Sequence, residues 1–444
     1  MPTFLRYLLT PFFLATWALR LLLDLGLAGN LHALLFVPRF IAFACLLLPI
    51  GPLYCRMLCR RTTRLFIRYG AHRRQDYDVF HPNGPPRAVV AIISGGAWTI
   101  SHKWHGLSCV PTLLAADYVV VLIDIRQWPI ASVTAQVADV RAAIISVGGR
   151  VQSGEWGAGV RQYVLAHSAG AHLVALALLE RAGANIGGDG VGGTYMSPSG
   201  SRSSASHLPT IPFHPPVLPP IAAAFLVSGA YDIRAFRPHL VRCGLPHGYL
   251  DHVFESDDEI FSPTQIVKAH AERALMMALA TPPRLSSSRV FLSSMLAVVD
   301  ETPEDLLMSE QTAVPRTPDR TALFSSAAPK HVNPCLTTLL KDCRLHLVHG
   351  ALDFCVPHEQ SVAFHRALVD AGVNASIRIA EEDSHTSLLV ESPLSGAPSA
   401  LDDVRASIEA DCVKFGITAP SQSVRAEAPL SASYVALVAI VNPF

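Results

Sequence analysis

Residues 164–172, Val-Leu-Ala-His-Ser-Ala-Gly-Ala-His, place a serine between an apolar strand and the start of a helix. Only small neighbours fit around so sharp a strand-to-helix turn, which pushes the serine side chain out of the sheet. Ala166 stands where the usual pattern has glycine, and Gly170 fills the other small position. The following helix would direct its N-terminal dipole at Ser168 and favour negative charge there. The segment predicts a nucleophilic serine; the alternative is an ordinary strand-to-helix junction with an incidental serine.

An earlier segment offers backbone donors to a reacting oxygen. The apolar strand 89–93 runs into Ser-Gly-Gly-Ala-Trp at 94–98, where paired glycines let N–H groups approach a substrate closely. Glycines after a strand more often mark only a turn. The interpretation of this pair as part of an oxyanion hole depends on its position ahead of the serine. We predict an oxyanion hole formed by the backbone N–H groups of Gly95, Gly96, Ala97 and Ala169.

Two late strands each lead into a loop with a candidate acid or base. Residues 345–350 form a short apolar run that leads to Asp353, and residues 376–380 form a strand that leads to His385. Imidazole takes up and returns a proton near neutral pH, as a general base must. The chain order serine, acid, histidine is typical of hydrolases with this kind of turn. We predict a catalytic set of Ser168, Asp353 and His385.

Other histidines and acids near these loops have simpler expected roles. The strand histidines are expected to be satisfied in the core or at the sheet edge, the helix histidines to be solvated, and those beside the serine to pack or line a pocket. Asp383 is too close in sequence to His385 to be its usual orienting acid. The strand histidines are His346 and His349, the helix histidines are His358 and His365, and those beside the serine are His167 and His172.

Strands and helices alternate along the chain as in an α/β protein with a doubly wound, mostly parallel sheet. Strands are expected near 118–125, 161–166, 221–228, 344–349 and 375–380, with helices near 132–147, 169–182, 357–371 and 401–414. Two segments interrupt this rhythm. Residues 183–220 are rich in glycine, proline and serine, and residues 268–333 begin helically and then become rich in serine, threonine and proline. Both are predicted to be surface insertions without a catalytic role.

Seven short blocks, in this order, resemble those of isoprenylcysteine alpha-carbonyl methylesterases, membrane-bound relatives of kynurenine formamidases and hormone-sensitive-lipase-like esterases. The resemblance covers most of residues 60–415 and departs from the family at Ala166, at Ile125, which replaces a usual tyrosine, and in its unusually long insertions. The blocks are Gly95-Gly96-Ala97-Trp98 with Trp104 and Gly106, Asp124-Ile125-Arg126-Gln127-Trp128-Pro129, Ser168-Ala169-Gly170-Ala171-His172, Ser228-Gly229-Ala230-Tyr231, Phe261-Ser262-Pro263, His349-Gly350-Ala351-Leu352-Asp353 and Ser384-His385-Thr386.

The resemblance implies an α/β-hydrolase fold and a serine esterase that needs neither cofactor nor metal. It also implies the substrate, the methyl-esterified prenylcysteine at the C-terminus of prenylated proteins, and a location in the endoplasmic reticulum or Golgi membrane. Trp98 and Trp104 are candidates for lining a groove for the prenyl tail, with core packing as the alternative.

The N-terminus holds two apolar stretches, 7–28 and 31–54. Each is long enough to cross a hydrocarbon core of ~30 Å at about 1.5 Å per residue. The first contains Arg20 and Asp24, one helical turn apart, so it inserts with difficulty unless these are paired or the helix packs on the second. The loop between the stretches lacks lysine and arginine, whereas several arginines follow the second stretch: Arg56, Arg60, Arg61, Arg64, Arg68, Arg73 and Arg74.

This charge bias predicts that both ends of the hairpin, and hence the catalytic domain, face the cytosol. A signal peptide or a hairpin lying in one leaflet are the alternatives. We predict a membrane-anchoring helical hairpin at 1–56, an α/β-hydrolase domain at 57–416 and a tail at 417–444. The apolar run 434–441 is too short to span a bilayer and is expected to dock on the domain or touch the membrane.

Composition limits the other classes of function. The 444 residues are 50% hydrophobic, which supports one large core, and the formal net charge is zero, so no global field recruits nucleic acid. The nine cysteines show no metal-ligand spacing, which favours reduced thiols in a cytosol-facing domain. The expected partners come from the other observations: the N-terminal stretches indicate a lipid membrane, and the resemblance implies a prenylated C-terminal cysteine methyl ester, with a small ester substrate as the alternative.

Three hypotheses follow. The chain is a prenylcysteine methylesterase, or it is a general membrane carboxylesterase or arylformamidase acting on a small substrate, or it is a hydrolase-like interaction protein without catalytic activity. Because candidates for the serine, acid and base are all present, the third hypothesis is the weakest.

Overall fold

An eight-stranded sheet lies at the centre of the computed structural model, which describes residues 57–59, 63–181, 218–243, 247–280, 340, 343–417 and 430–441. The strand order is β1-β2-β4-β3-β5-β6-β7-β8. The strands are β1 Arg64–Arg68, β2 Asp76–Phe80, β3 Ala88–Ile93, β4 Tyr118–Ile123, β5 Arg161–His167, β6 Ala223–Val227, β7 Arg344–Gly350 and β8 Ala375–Ala380. Strand β2 is antiparallel to both β1 and β4, and all other neighbours are parallel. The predicted doubly wound, mostly parallel sheet is confirmed.

Side chains of the central strands alternate between two apolar cores, one on each face of the sheet. On β3 all six side chains are buried, three in each core. A parallel strand covered on both faces reads as a continuous apolar run, and this explains the sequence of β3. Val89, Ala91 and Ile93 belong to the first core, and Ala88, Val90 and Ile92 to the second.

Helices cover both faces. Helices α2, α3 and α7 pack on the first core, and α1, α9 and α10 on the second, where a 3-10 helix at Lys103–Cys109 precedes α1. The helices are α1 Val110–Ala115, α2 Val133–Gln152, α3 Ala169–Arg181, α4 Ile233–Arg242, α5 His247–Val253, α6 Pro263–Ala280, α7 Glu359–Asp370, α8 Glu391–Ser395, α9 Ala400–Phe415 and α10 Ala432–Val441.

Helix α9 is tied to the amino ends of two strands by one buried carboxylate. Asp411 accepts hydrogen bonds from the Tyr163 hydroxyl at 2.6 Å, from Arg344 at 2.6 Å and from Arg161 at 3.1 Å. Because a buried carboxylate needs donors, this cluster fixes α9 against β5 and β7 at the sheet edge opposite the strand-end loops.

The strands predicted from residue 118 onward are found, with ends shifted by a few residues. Strands β1 and β2 were not predicted. Strand β1 is only five residues long and carries a register shift between Arg64 and Ile67, while β2 places Asp76 and Asp78 at fully enclosed positions. Buried aspartates and a bulge remove the apolar pattern by which strands are recognised.

Several predictions lie wholly or partly outside the described residues. The hairpin 1–56 is one; of the two insertions, the structure describes only 218–220 and the part of the second that falls in helix α6. Within the described part of the chain, no helix is both long and apolar enough to cross a membrane. The C-terminal apolar run forms α10, which buries Val435 and Val438 and therefore docks on the domain.

Two strand-end loops meet at Gly350, the last residue of β7. A Cβ atom there would lie 2.2 Å from the backbone oxygen of Asp383, in the loop after β8. The same oxygen accepts the N–H of Leu352 at 2.9 Å, and the N–H of Ala351 donates to Ala380 at 2.8 Å. The two loops are thus in direct backbone contact, which only glycine permits at this position.

We expect Gly350→Ala to lower the free energy of unfolding by about 1–3 kcal/mol, because the added methyl group overlaps backbone that cannot move aside. Gly149→Ala is the matched control. Gly149 lies on helix α2 with nothing within 4 Å of its would-be Cβ, so that variant should gain roughly 0.5–1 kcal/mol from helix propensity. Urea unfolding of both variants checks the pair, and equal stabilities would contradict the proposed loop contact.

Candidate active site

Ser168 occupies a tight turn between strand β5 and helix α3. Its backbone is in the left-handed region with φ 53°, which is uncommon for a residue other than glycine. Its N–H donates to Val227 at 2.8 Å and its carbonyl accepts from His172 at 3.1 Å. The left-handed conformation is therefore held from both sides, as expected of strain retained at a functional position.

The small neighbours of Ser168 are required by close packing. A Cβ on Gly170 would lie 2.5 Å from the backbone oxygen of Ile93, and a Cβ on Gly95 would lie 2.5 Å from the Cβ of Ser168. Strand β3 and its following loop therefore press directly on the turn. Ala166, the departure from glycine, is fully buried in the core and its methyl group is accommodated.

Ser168, His385 and Asp353 form a continuous line of hydrogen bonds. The His385 Nδ1 atom lies 2.7 Å from Asp353 Oδ2, and its Nε2 atom lies 2.9 Å from the Ser168 Oγ atom. An ionised carboxylate can only accept, so Nδ1 carries the proton and the neutral Nε2 accepts from the serine hydroxyl. The three side chains come from loops after β5, β7 and β8, and the structure brings them together.

Asp353 is held by more donors than His385 alone. Its Oδ1 accepts the N–H of Val356 at 2.8 Å, and its Oδ2 also lies 3.0 Å from Nε2 of His349. Burial by itself would raise the pKa of Asp353, but attraction to His385 and the histidine hydrogen bonds outweigh it and hold that pKa well below its usual range. The carboxylate is therefore ionised throughout the neutral range.

Neither histidine beside Ser168 competes as a base. Burial, together with repulsion by His385, lowers the pKa of His167 to about 3, and its Nε2–H donates to the His385 carbonyl at 2.8 Å. Burial lowers the pKa of His172 to about 4, and its Nε2–H donates to the Phe261 carbonyl at 2.7 Å. Both rings are therefore neutral, and the His167 ring lies 4.8 Å from that of His385 and helps to orient it.

Among the other residues weighed, Asp383 accepts a hydrogen bond from Ser387 at 2.7 Å and serves its own loop, as expected. The Nδ1 atom of His346 lies 2.7 Å from the Ser376 Oγ atom and its ring stacks on Phe225, but its buried Nε2 atom lacks a hydrogen-bond partner among the described residues, so the expectation of a satisfied histidine holds only in part. His349 is a fully buried, hydrogen-bonded core histidine, as expected, and in addition it contacts Asp353.

The loop after β3 has an unusual backbone. Gly96, Ala97 and Trp98 have φ values of 150°, 44° and 62°, three consecutive residues on the side of the map that favours glycine. Such strain is retained mainly where the surroundings impose it, often at catalytic loops. Ala169 is the first residue of α3, so its N–H has no acceptor within the helix. These amides lie on the segments that flank Ser168, and the oxyanion hole of Gly95, Gly96, Ala97 and Ala169 stays a prediction.

The assignment of Trp98 to a substrate groove is corrected by the structure. Trp98 is only 3% exposed; its ring meets those of His172 and Phe254 edge-on, and its Nε1–H donates to His172 at 3.1 Å. It therefore packs in the core behind the serine turn. Trp104 is half-buried, donates to Asp78 at 3.0 Å and packs against the second core, and its contact with substrate stays a prediction.

A buried ion cluster anchors the segment that follows the glycine loop. Lys103 is 2% exposed, and its Nζ atom lies 2.6 Å from Asp76 and 2.8 Å from Asp78 on strand β2. Two residues along, the imidazole of His105 donates to the backbone carbonyl of Gly95. The first turn of the 3-10 helix is thereby fixed both to β2 and to the glycine loop.

Sequence reasoning missed Lys103, His105 and the contact of His349 with Asp353. The position of His349 directly before the loop glycine was a usable signal, since a histidine ending a buried strand reaches the strand-end edge. The partners of Lys103 had no such signal, because β2 itself was not recognised. Among the described residues, no group of three histidine, cysteine or acidic side chains is arranged to hold a metal ion.

The geometry is suited to acyl transfer. A serine hydroxyl donates to a neutral imidazole whose other nitrogen is held by an ionised carboxylate, and backbone amides lie beside the serine. A mostly parallel eight-stranded sheet with the serine after β5, the acid after β7 and the histidine after β8 is that of an α/β-hydrolase. The chain is a carboxylic ester hydrolase.

Comparison with known proteins agrees with this class. A family model described as BD-FAE matches residues 77–200, a stretch that includes the glycine loop and the serine turn. The probable isoprenylcysteine alpha-carbonyl methylesterase ICME of Oryza sativa subsp. japonica is 25% identical over 387 residues, 86% of this chain and 70% of the relative. The probable isoprenylcysteine alpha-carbonyl methylesterase ICMEL1 of Arabidopsis thaliana is 27% identical over 397 residues, 87% of this chain and 63% of the relative.

Among solved structures, an inhibited esterase B from Lactobacillus rhamnosis aligns with a TM-score of 0.50 at 12% identity. The alignment covers 86% of this chain and 99% of the esterase, and it supports the fold. The chain is therefore similar to isoprenylcysteine alpha-carbonyl methylesterases, and the resemblance predicted from its sequence is confirmed.

We expect Lys103→Met to lower the free energy of unfolding by about 3–5 kcal/mol, because it leaves two enclosed carboxylates without their cation. Arg150→Met is the control, since Arg150 and Glu155 are paired with side chains 33% and 44% exposed. Removing such a surface pair should cost only about 0–1 kcal/mol. Urea unfolding midpoints compare the two, and a Lys103 variant as stable as its control would refute the anchoring role.

If the hydrogen-bonded line acts as one unit, Ser168→Ala should reduce kcat/KM for a p-nitrophenyl ester by roughly a millionfold. Asp353→Asn should reduce it by about ten-thousandfold, because the imidazole then adopts the wrong tautomer. Ser153→Ala and Asp370→Asn, at exposed positions, are the matched controls and should leave the rate unchanged. Near-normal activity in either site variant rules out its assigned role.

Proposed function

We propose that this chain is a serine esterase that demethylates prenylcysteine methyl esters at a cytosol-facing membrane surface. The observation that carries the proposal is the Ser168–His385–Asp353 line, with distances of 2.9 Å and 2.7 Å at its two junctions. Its similarity to methylesterases, across more than four fifths of the chain, supplies the substrate class.

The first half of the reaction forms an acyl-enzyme. The Ser168 Oγ atom attacks the ester carbonyl carbon while its proton passes to Nε2 of His385. The carbonyl oxygen becomes an oxyanion, for which the N–H groups of Ala169 and of the Gly95–Ala97 loop are the donors. The tetrahedral species collapses, the bond to the methoxy group breaks, and His385 returns the proton so that methanol leaves.

The second half regenerates the enzyme. Water donates a proton to His385 and its oxygen attacks the acyl carbon, and the serine leaves with the proton returned by His385. The net change is ester plus water to carboxylic acid plus methanol. Asp353 remains ionised because its low pKa lies far from neutrality, so it stabilises the imidazolium formed in both halves.

The membrane setting is also a proposal, supported by the sequence outside the described residues. Two apolar stretches followed by arginines would hold the catalytic domain beside the leaflet in which prenyl tails partition. By resemblance the membrane is that of the endoplasmic reticulum or Golgi. The binding partners are then the substrate, which is a prenylated, methyl-esterified protein C-terminus, and the membrane lipid, with no nucleic acid involved.

A general membrane carboxylesterase or an arylformamidase on a small substrate is the second candidate. The burial of Trp98 favours it, because this side chain is unavailable to a prenyl tail. The chemistry at Ser168 would be unchanged, and only the group beyond the carbonyl would differ.

Prenyl dependence separates these candidates. We expect the full chain in detergent micelles to hydrolyse a farnesylcysteine methyl ester at least roughly tenfold faster, in kcat/KM, than its S-methyl analogue. Burial of as little of the farnesyl chain as two methylene groups, at about 0.8 kcal/mol each, stabilises the transition state enough to give that ratio of kcat/KM values. Methanol release is the measurement, and Ser168→Ala supplies the background. Equal rates for the two esters would rule out the prenyl-specific function and leave a general esterase.

A further inference from the structure

His349, near the end of strand β7, contacts the candidate acid at the same carboxylate oxygen as His385. The ring is completely buried. Its Nε2 atom lies 3.0 Å from Asp353 Oδ2 and 2.8 Å from the carbonyl oxygen of Val356, while its Nδ1 atom lies 2.7 Å from the Ser361 Oγ atom. Every polar atom of the ring is therefore engaged.

These contacts specify one tautomer. The two groups that face Nε2, a carboxylate and a carbonyl, can only accept hydrogen bonds, so Nε2 carries the proton. In the neutral ring Nδ1 then accepts, and the Ser361 hydroxyl donates to it. Ser361 is itself fully buried on helix α7, so the packing of that helix orients the ring toward Asp353.

His349 and His385 share one oxygen atom. Both Nε2 of His349 and Nδ1 of His385 donate to Oδ2 of Asp353, at 3.0 Å and 2.7 Å. The hydrogen bond from His349 withdraws negative charge from Oδ2 of Asp353, which would otherwise accept a hydrogen bond from the His385 imidazole alone. It also prevents rotation of the carboxylate about its Cβ–Cγ bond.

We propose that His349 is a positioning residue that, through Asp353, tempers the affinity of His385 for its proton. The proposal rests on the proposed role of Ser168, His385 and Asp353 in ester hydrolysis. It assigns no contact between His349 and substrate. Its signature is a change in pH dependence rather than only a loss of rate.

The surroundings allow that signature to be measured cleanly. The groups that face this line from other elements are His167 on β5, Cys355 in the acid loop and Tyr231, which faces Ser361. Burial lowers the pKa of His167 to about 3, and burial raises the pKa of the Cys355 thiol and of the Tyr231 phenol. All three are therefore neutral from pH 5 to 9. The Nε2 atom of His239, on helix α4, lies 2.8 Å from the Phe354 carbonyl oxygen in the acid loop; this contact is common to the wild type and the His349 variants, so the difference between their acid limbs reports on the shared-oxygen line.

His349→Asn and His349→Gln form a matched pair. The asparagine amide reaches only the position of Nδ1 and retains the partner of Ser361, whereas the glutamine amide reaches the position of Nε2 and retains a donor to Asp353. We expect His349→Asn to move the acid limb of kcat/KM to higher pH by about one unit, the worth of one charge-assisted hydrogen bond. His349→Gln should stay within a few tenths of a unit of the wild type.

Two measurements on the full chain test this. One is the pH profile of p-nitrophenyl ester hydrolysis, and the other is the pH profile of the rate at which a fluorophosphonate inactivates Ser168. Ser361→Ala removes the donor to Nδ1 of His349. It should move the acid limb of both profiles to higher pH by a smaller amount, and it replaces the asparagine variant as the test if that variant does not fold. The proposal is overturned if the acid limbs of the folded variants coincide with that of the wild type. It is also overturned if His349→Gln shifts the acid limb as far as His349→Asn does.

The two probes also separate this proposal from the proposed function. A wild-type chain that reacts with the fluorophosphonate and fails to cleave a prenylcysteine ester refutes the substrate while the His349 comparison still stands. A wild-type chain that does not react with the fluorophosphonate refutes the catalytic line and the positioning role together.

Discussion

The burial of carboxylates, each of which must be met by hydrogen-bond or ion-pair donors, is the constraint on which this structure depends. Three enclosed aspartates, Asp353, Asp78 and Asp411, each draw donors from elements distant in sequence. An unpaired buried carboxylate would cost far more than the few kcal/mol by which a domain is stable, so each becomes a junction. Asp411 joins α9 to the amino ends of β5 and β7, Asp78 joins β2 to the 3-10 helix, and Asp353 joins the acid and base loops.

The two ends of the parallel strands have different roles, one catalytic and one structural. At the carboxyl ends of the parallel strands, loops of different strands converge and their polar groups meet around Ser168. At the amino ends, ionic contacts hold a helix and no candidate catalytic group is present among the described residues. The division follows from parallel topology, since strands that run in one direction deliver all their following loops to the same edge.

The sequence predicts the parts of this arrangement that depend on local pattern. Apolar strands such as β3 and the small residues around Ser168 are visible as patterns, and so are the loop positions of Asp353 and His385. It does not reveal β2, because Asp76 and Asp78 interrupt the apolar run and their partner Lys103 lies on another element. It also misplaces Trp98, since an aromatic residue after a glycine loop looks the same whether it faces a groove or the core. The second contact of Asp353 depends on the tertiary position of Ser361, and no spacing along the chain encodes it.

The backbone contact at Gly350 has an evolutionary consequence. The contact between the acid and base loops is made by main-chain atoms, so it does not depend on the side chains of the two glutamates that follow β8 in the base loop. Glu381 and Glu382 in that loop are exposed and free to vary without disturbing proton transfer. Relatives with this scaffold can therefore change the charge of the loop that carries the base, while the chemistry at Ser168 is inherited intact.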